Sequence, residues 1–227
     1  MTGLVSKATL LTVFGLVLAG AALAGQPNAS TSSKPACIGL TGSKTGVADP
    51  KGQFTITVRD VANNTIANSN VKIDFSNCVD MHLGTTQPGG PGVSAMTVSC
   101  ATHSISALTN ASGVVTFRII GSAQNPTGGV LPKSLSGCAS VSADNFALGT
   151  VTVNAYNEDG STGVGTGVGG NDLSAWLGDF FTAGNPYFGR SDFDCNGVVG
   201  GNDLSVWLGV FLPIPGSSPD GASAQCP

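Results

Sequence analysis

Between residues 37 and 156, apolar and polar residues alternate with a period of two. This period indicates strands with one buried face, because successive side chains of a strand point to opposite sides of its sheet. Segments rich in Asn and Gly separate the alternating runs and supply the positive φ angles of turns. About seven short strands over about 120 residues favour an antiparallel β-sandwich. The predicted strands are residues 54–59, 71–75, 95–98, 104–108, 114–120, 139–143 and 150–155.

After residue 156 the apolar pattern takes the period of a helix, and it does so twice. Residues 168–181 are repeated as residues 199–212, with eleven of the fourteen paired positions identical. In each copy Leu, Trp, Leu and Phe recur at i, i+3, i+4 and i+7, which places them along one side of a short helix. We expect each helix to bury this stripe against the other, with Trp176 and Trp207 as core residues.

Composition and charge exclude several classes of protein. The chain has 33 Gly and 12 Pro among 227 residues, and only 10% of its residues are charged. A coiled coil and a mainly helical bundle are therefore excluded. The net charge of −4 lacks the basic surface that phosphate backbones require, so no nucleic-acid partner is expected. The acidity is concentrated from Tyr156 onward, where eight acidic residues accompany one basic residue, Arg190.

Residues 1–24 have the pattern of a secretory signal peptide. Lys7 precedes an apolar stretch over residues 8–22, and the small residues at 22 and 24 indicate cleavage after Ala24. The alternative is a membrane anchor, but the stretch is shorter than the ~20 residues that span a bilayer. We therefore expect a soluble mature protein that is secreted or associated with the cell surface, with no membrane contact after cleavage.

The composition of both ends of the mature chain indicates little regular structure. Residues 25–36 are small and polar, and such segments bury too little apolar surface to become ordered. They are predicted to form a flexible leader. Residues 213–227 are rich in Pro, Ser and Gly and are predicted to form a tail.

All six cysteines lie after the expected cleavage site, and an even number in an oxidising compartment predicts three disulfides. Spacing alone leaves the pairing open. Cys195 and Cys226 stand alone in the last third of the chain, so we expect them to pair with each other. The other expected pairs are Cys78 with Cys100 and Cys37 with Cys138.

The clearest chemical signal precedes the second helix, in residues 192–203. Oxygen-bearing side chains occupy the first, third, fifth and twelfth places of this segment, and Gly197 occupies the sixth. Alternate side chains of a tight loop point inward together, and Ca²⁺ takes about six to eight oxygen ligands. The sequence therefore predicts a calcium loop, and the alternative is an acidic surface turn. The candidate ligands are Asp192, Asp194, Asn196, Asp203 and the backbone carbonyl of Val198.

The first copy of this loop is enlarged. Residues 162–165 and 166–169 are a tandem repeat of Thr-Gly-Val-Gly, and removing one copy restores a loop of twelve residues. Its candidate ligands are Asn157, Asp159, Ser161 and Asp172. The insertion either bulges outward and leaves a calcium site intact, or separates the two halves of the site.

Two stretches resemble known families. Residues 57–67 (TVRDVANNTIA), 71–75 (VKIDF) and 109–119 (TNASGVVTFRI) are similar to bacterial Ig-like modules of the invasin and intimin type. The duplicated loops and helices of residues 156–212 resemble the type I dockerin module. Together these resemblances imply a mainly β chain: an Ig-like antiparallel β-sandwich over residues 37–155, followed by a small α dockerin-like pair of loop-helix, EF-hand-like repeats.

The dockerin resemblance implies Ca²⁺ as the cofactor and attachment of the helices to a cohesin-like or other extracellular protein. No nucleophile motif such as Gly-x-Ser-x-Gly occurs, so no enzyme is expected. The expected function is a secreted, non-catalytic binding or structural protein whose Ig-like module acts as a spacer or adhesive unit. One alternative is a carbohydrate-binding accessory protein with a polysaccharide ligand. Another is a hydrolase, which would need His82 or His103 beside Ser and Asp.

Overall fold

The computed structural model describes residues 25–44, 47–87, 89–124, 134–160, 167–182, 187–211 and 224–226. Within these ranges the chain is mainly β, with twelve strands followed by two α-helices. The expected signal peptide, Ser161 and residues 213–223 of the predicted tail lie outside the described residues.

The largest sheet has six strands in the order β1-β12-β11-β5-β8-β7. Its neighbouring strands are antiparallel, except that β1 is parallel to β12. Alternation produces its buried face: in β5, for example, Val71 and Ile73 are fully buried between more exposed polar neighbours. The six strands are β1 (Cys37–Leu40), β5 (Asn70–Asp74), β7 (Met96–Ser99), β8 (Ser104–Leu108), β11 (Ala139–Ala143) and β12 (Phe146–Ala155).

Three smaller antiparallel pairs complete the β part, and one hydrophobic core joins most of it. β4 pairs with β9 and contributes Ile56, while β9 contributes Phe117. Both side chains are fully buried with Ile73 of the large sheet. The remaining strands are β2 (Ser43–Lys44) with β3 (Val47–Ala48), β4 (Gln53–Thr57) with β9 (Val114–Arg118), and β6 (Met81–Leu83) with β10 (Gly121–Ala123).

Each of the seven predicted strands corresponds to an observed strand. The bounds of β8 and β11 agree with the prediction, and β12 begins earlier, at Phe146. The pattern missed β1, β2, β3, β6 and β10, which have two to four residues each. A run that short contains at most two alternations, which is too few to stand out from its surroundings.

Residues 25–36 do not behave as the flexible leader that their composition predicted. Ser33 and Thr57 exchange backbone hydrogen bonds of 2.9 Å in both directions, and the Asn28 amide donates to the Arg59 carbonyl at 2.9 Å. The segment therefore lies along the continuation of β4. The prediction failed because it considered only apolar burial, whereas this segment is held by backbone and hydroxyl hydrogen bonds to a neighbouring strand.

The structure contains three disulfides, and the expected pairing is wrong in all of them. The expectation assumed that cysteines of the β part pair with one another and that those of the C-terminal part do the same. Two of the bridges instead join residues separated by 158 and 126 positions and connect the C-terminal part to the β part. Such pairs depend on the path of the chain in space, which spacing along the sequence does not reveal. The observed pairs are Cys37–Cys195, Cys78–Cys138 and Cys100–Cys226.

The C-terminal part has a small core that begins at the end of β12. Tyr156 stacks on Phe193 at a centroid distance of 5.1 Å, and its carbonyl accepts the indole N–H of Trp207 at 3.1 Å. Trp176 and Trp207 are 2% and 0% exposed, which agrees with their expected role as core residues. The two helices that carry them are α1 (Gly170–Phe181) and α2 (Gly201–Phe211).

The apolar stripe of α1 is only partly buried, contrary to expectation. Leu177 and Phe180 are 36% and 42% exposed, whereas Asp172 and Asp179 are buried with Trp176. The inner side of α1 therefore combines one aromatic residue with two acidic ones. Among the described residues, no helix has the length and apolarity needed to cross a bilayer.

We expect the mature protein to contain no free thiol and to give cross-linked peptides that match the observed pairs. The measurement is mass spectrometry of the alkylated, non-reduced protein after proteolysis. The diagnostic product joins Cys37 to Cys195, because it links the first strand to the C-terminal part. A peptide that joins Cys195 to Cys226 would contradict the fold described above.

Candidate metal centre

The loop of residues 192–203 connects a 3₁₀ turn (Gly189–Ser191) to α2 and brings three carboxylates together. Carboxylate oxygens of Asp192, Asp194 and Asp203 all lie within 4.8 Å of one another. Gly197, at the sixth place, has a φ of +86°, and this left-handed conformation turns the chain back toward its start. Asp203 lies in the first turn of α2, so the cluster joins the beginning of the loop to the beginning of the helix.

Backbone amides hold the two buried carboxylates in position. Asp203 accepts the amide of Asp194 at 3.0 Å through Oδ1 and the amide of Gly200 at 2.7 Å through Oδ2. Asp192 accepts the amides of Asn196 at 3.1 Å and Gly197 at 2.9 Å. Each carboxylate oxygen has two lone pairs, so these bonds leave capacity for an ion.

The other two predicted ligands lie at the exposed side of the loop. The Asn196 amide group donates to Asp194 Oδ2 at 2.8 Å, and its Oδ1 accepts the backbone amide of Val198 at 2.8 Å. The Val198 side chain is 54% exposed. Asn196 would have to turn its Oδ1 toward the three carboxylates to serve as a ligand, and Val198 would contribute its carbonyl.

The loop concentrates negative charge at the surface, with Asp194 exposed and the other two carboxylates buried. Asp192 and Asp203 are 1% and 0% exposed. Burial raises the pKa of Asp203, and the charges of Asp194 and Asp192 raise it further. In the described part of the chain, the salt bridges are Lys72–Asp74 and Arg190–Asp179, so none reaches this cluster. A bound cation would supply the missing positive charge.

Three residues outside the predicted ligand set fix the loop to the rest of the protein. The Tyr187 hydroxyl donates to Asp192 Oδ2 at 2.7 Å, and the Asn154 side chain of β12 donates to the Asp192 carbonyl at 3.0 Å. Cys195, at the fourth place of the loop, is bonded to Cys37 of β1. Burial and the contact with Asp192 raise the pKa of the Tyr187 hydroxyl. Sequence reasoning missed Tyr187 and Asn154 because neither belongs to the loop motif.

The first loop repeats the same backbone frame around Asp172. Its Oδ1 accepts the amide of Asp159 at 2.9 Å, and its Oδ2 accepts the amide of Gly169 at 2.6 Å. These bonds correspond to those that Asp203 accepts from Asp194 and Gly200 in the second loop. Burial raises the pKa of Asp172 to about 6. The enlarged loop therefore still places its closing carboxylate as the shorter loop does.

The remaining candidates of the first loop make a weaker donor set. Asn157 is fully buried, Asp159 is half-buried, and Ser161 lies outside the described residues. Among the described residues, a cluster of three carboxylates is found at the second loop and not at this one. Glu158 Oε1 lies 3.2 Å from the Ser191 hydroxyl oxygen, and its Oε2 is buried without a hydrogen-bond partner in the described part of the chain. Burial and the nearby charge of Asp179 raise the pKa of Glu158 well above its ordinary value.

A buried ion pair lies between the two loops. The Arg190 guanidinium donates to both carboxylate oxygens of Asp179 at 2.7 Å and to the Gln124 carbonyl, in the β part, at 3.4 Å. The Ser191 hydroxyl donates to Asp179 at 2.6 Å. Arg190 is 3% exposed, and this network attaches α1 and the 3₁₀ turn to the β part.

The histidines of the hydrolase alternative lie elsewhere. His82 belongs to β6, where its Nδ1 is 3.0 Å from the Cys226 carbonyl. His103 follows β7 with a φ of +43°. Both line the same small space beside Phe75 and Cys226, away from the loop of residues 192–203.

No protein-family model, curated protein or solved structure matches the chain. Function is therefore inferred from the chemistry of the loops.

We expect Arg190→Met to lower the free energy of unfolding by about 3–5 kcal/mol, because it leaves Asp179 buried without its cation. The measurement is urea denaturation with all disulfides intact. The matched control is Lys72→Met, which breaks a salt bridge whose side chains are 38% and 27% exposed and should cost about 0–1 kcal/mol. Equal losses in the two variants would contradict the structural role of Arg190.

Proposed function

We propose that the protein is secreted and non-catalytic, and that Ca²⁺ binding to the loop of residues 192–203 stabilises its C-terminal part. The observation that supports this most directly is the convergence of Asp192, Asp194 and Asp203 within 4.8 Å. Two of these carboxylates are almost completely buried. Burying like charges together is unfavourable unless a cation or hydrogen bonds compensate them.

The donor set favours Ca²⁺ over other metal ions. The candidate ligands are carboxylate, amide and backbone carbonyl oxygens, which suit hard cations. Zn²⁺ and copper favour sites with imidazole or thiolate ligands, and the one cysteine of the loop is bonded to Cys37. Mg²⁺ demands a nearly ideal octahedron and usually keeps several waters, whereas Ca²⁺ accepts irregular sites built from loops.

The ion would connect the beginning of the loop to the beginning of α2. Asp192 and Asp194 come from the first turn of the loop, and Asp203 comes from the first turn of the helix. Asn196 and the Val198 carbonyl would complete the protein ligands. Because the unfolded chain lacks this arrangement, binding of the ion stabilises the folded state.

The proposal also includes the fold type of the β part and of the C-terminal part. The shared core of the large sheet and the β4–β9 pair supports an Ig-like antiparallel β-sandwich over residues 37–155. The repeated frame around Asp172 and Asp203 supports a dockerin-like pair of loop-helix units over residues 156–212. In this proposal the sandwich is a spacer or adhesive unit, and the helical part attaches to another extracellular protein.

The surface of α1 supports a protein partner for the helical part. Leu177, Phe180 and Phe181 are 36%, 42% and 72% exposed, and the rings of Phe180 and Phe181 contact each other at 4.9 Å between centroids. Exposed aromatic side chains that lie together are typical of protein interaction sites. The three disulfides are consistent with an extracellular location, and the proposed partner is an extracellular protein.

We expect Ca²⁺ at ~100 times its dissociation constant to raise the free energy of unfolding of the mature chain by about 2.7 kcal/mol per site. Calorimetric titration and thermal unfolding measure the affinity and the stabilisation. Asp203→Asn should abolish binding to the second loop, because it removes the buried closing charge. The matched control is Asp144→Asn, whose carboxylate lies in another turn and accepts hydrogen bonds from Ser69 and Asn70.

The number of Ca²⁺ ions bound per chain shows whether one loop or both loops bind an ion. A value of two that falls to one in Asp159→Asn would show that the enlarged first loop also binds an ion. A value of one that this variant leaves unchanged would restrict binding to the second loop. Absence of both heat and thermal shift at millimolar Ca²⁺ would refute the proposal.

We expect the double substitution Cys37→Ser with Cys195→Ser to weaken Ca²⁺ binding by about tenfold. Cys195 lies between Asp194 and Asn196, has a φ of +62°, and is bonded to Cys37. Ordering one freed residue costs about 1–2 kcal/mol, and ~1.4 kcal/mol corresponds to a factor of ten in affinity. The control removes Cys78–Cys138, which lies within the β part, and should leave the affinity unchanged. Equal affinities in all three proteins would contradict the coupling.

A further inference from the structure

Asp60 is a buried carboxylate in the β part, outside the two loops that precede α1 and α2. It begins the turn after β4 and is 2% exposed. Its Oδ1 accepts the amide of Asn64 at 2.8 Å, and its Oδ2 accepts the Asn64 side-chain amide at 3.1 Å. These bonds, with Asn64 foremost, lower the pKa of Asp60 below its ordinary value. The carboxylate is therefore negatively charged at neutral pH.

No side-chain cation compensates this charge in the described part of the chain, where the salt bridges are Lys72–Asp74 and Arg190–Asp179. The neighbouring Arg59 directs its guanidinium to the Asn63 carbonyl at 2.9 Å. The carboxylate of Asp144, in the turn before β12, accepts hydrogen bonds from the Ser69 hydroxyl and the Asn70 backbone amide. Uncharged donors, the backbone and side-chain amides of Asn64, already stabilise the charge of Asp60, so a cation at the same carboxylate would add to a favourable arrangement.

The backbone nitrogen of Gly25 lies 3.1 Å from Asp60 Oδ2. Gly25 has a φ of +100°, a conformation that favours glycine. The residues that follow hold it there: the Thr31 hydroxyl donates to the Asp60 carbonyl at 2.7 Å, and Asn28 donates its amide to the Arg59 carbonyl at 2.9 Å. Gly25 is also the first residue after the predicted cleavage site.

We propose that removal of the signal peptide creates an ion pair between the new α-ammonium group of Gly25 and the buried carboxylate of Asp60. Hydrolysis of the bond between Ala24 and Gly25 consumes one water, breaks the C–N bond, and leaves a carboxylate on Ala24 and a protonated amine on Gly25. The neutral peptide N–H that contacts Asp60 in the precursor becomes a cation with three donors. The nitrogen needs no displacement to form the pair.

The ion pair makes the secreted form more stable than the precursor. Before cleavage the charged carboxylate accepts a bond from a neutral N–H, and afterwards the positive charge on the nitrogen adds Coulomb attraction to that bond. The bond attaches the first residue of the mature chain to Asp60, whose carbonyl already accepts the Thr31 hydroxyl. The segment that composition predicted to be flexible thus becomes ordered from its first residue. This inference rests on cleavage after Ala24 and is independent of Ca²⁺ binding.

The pKa of the Gly25 α-amino group provides a direct test. The protein beginning at Gly25 is released from a fusion by a protease that leaves no extra residue, and its amines are labelled with ¹³C by reductive methylation for NMR titration. We expect a pKa above the ordinary ~7.7–8.0. A raised pKa means that the extra stability is fully present below the ordinary value and is lost as pH rises through the raised value. An ordinary pKa in the folded protein would overturn the proposal.

Thermal unfolding of two forms at neutral pH tests the energetic consequence. A form that retains Ala24 moves the ammonium one residue away from Asp60. We expect its melting temperature to be lower by roughly 2–4 °C, which corresponds to about 1 kcal/mol in a chain of this length. In Asp60→Asn the two forms should melt together, whereas in Asp74→Asn, a control whose carboxylate pairs with Lys72, the difference should persist. Equal melting temperatures in the unsubstituted protein, or a difference that persists in Asp60→Asn, would overturn the proposal. If Asp60→Asn does not fold, the α-amino pKa decides.

N-terminal sequencing of the secreted protein tests the assumed cleavage. We expect the chain to begin with Gly25. Any other first residue would overturn this proposal and would leave the calcium proposal standing.

Discussion

Carboxylates that fold into places without water need positive charge or several donors around them, and three parts of this protein depend on how that need is met. Asp179 is paired with Arg190, and the pair attaches α1 to the β part. Asp192 and Asp203 are surrounded by backbone amides in a loop that would accept a cation. Asp60 accepts the Gly25 amide, which would become the amino terminus under the proposed cleavage. The compensating group is a side chain at Asp179, and in our proposals it is an ion at the second loop and the chain terminus at Asp60.

The C-terminal part is bound to the β part so closely that the two form one structural unit. Cys195 is bonded to β1, and Cys226 is bonded to Cys100 at the end of β7. Tyr156, which directly follows β12, accepts the indole N–H of Trp207. The second loop is thus covalently attached to the large sheet. If the proposed ion binds there, its effect on stability would extend beyond the two helices.

The repeated helices are not equivalent, and the tertiary structure explains one of the differences between them. Asp179 of α1 corresponds to Val210 of α2, and both positions are buried. Asp179 meets Arg190, whereas Val210 packs in the small core with Trp207. One copy of the repeat therefore contributes to the polar attachment of the module, and the other contributes to its apolar interior.

Local patterns in the sequence determined the local structure of this protein. Period-two alternation located β8 and β11, the repeat located α1 and α2, and the spacing of Asp192, Asp194 and Asp203 identified residues that lie together. These features follow from neighbours along the chain, because strand, helix and tight loop each impose a short, fixed period.

Only the tertiary structure decided which distant residues meet. The bond between Cys37 and Cys195, the contact of Tyr187 with Asp192 and the position of Gly25 beside Asp60 all depend on the path of the chain between them. The order of residues 25–36 likewise comes from a strand that lies more than twenty positions further along. Composition measures how much apolar surface a segment can bury, and it contains no information about the backbone partners that the rest of the fold provides.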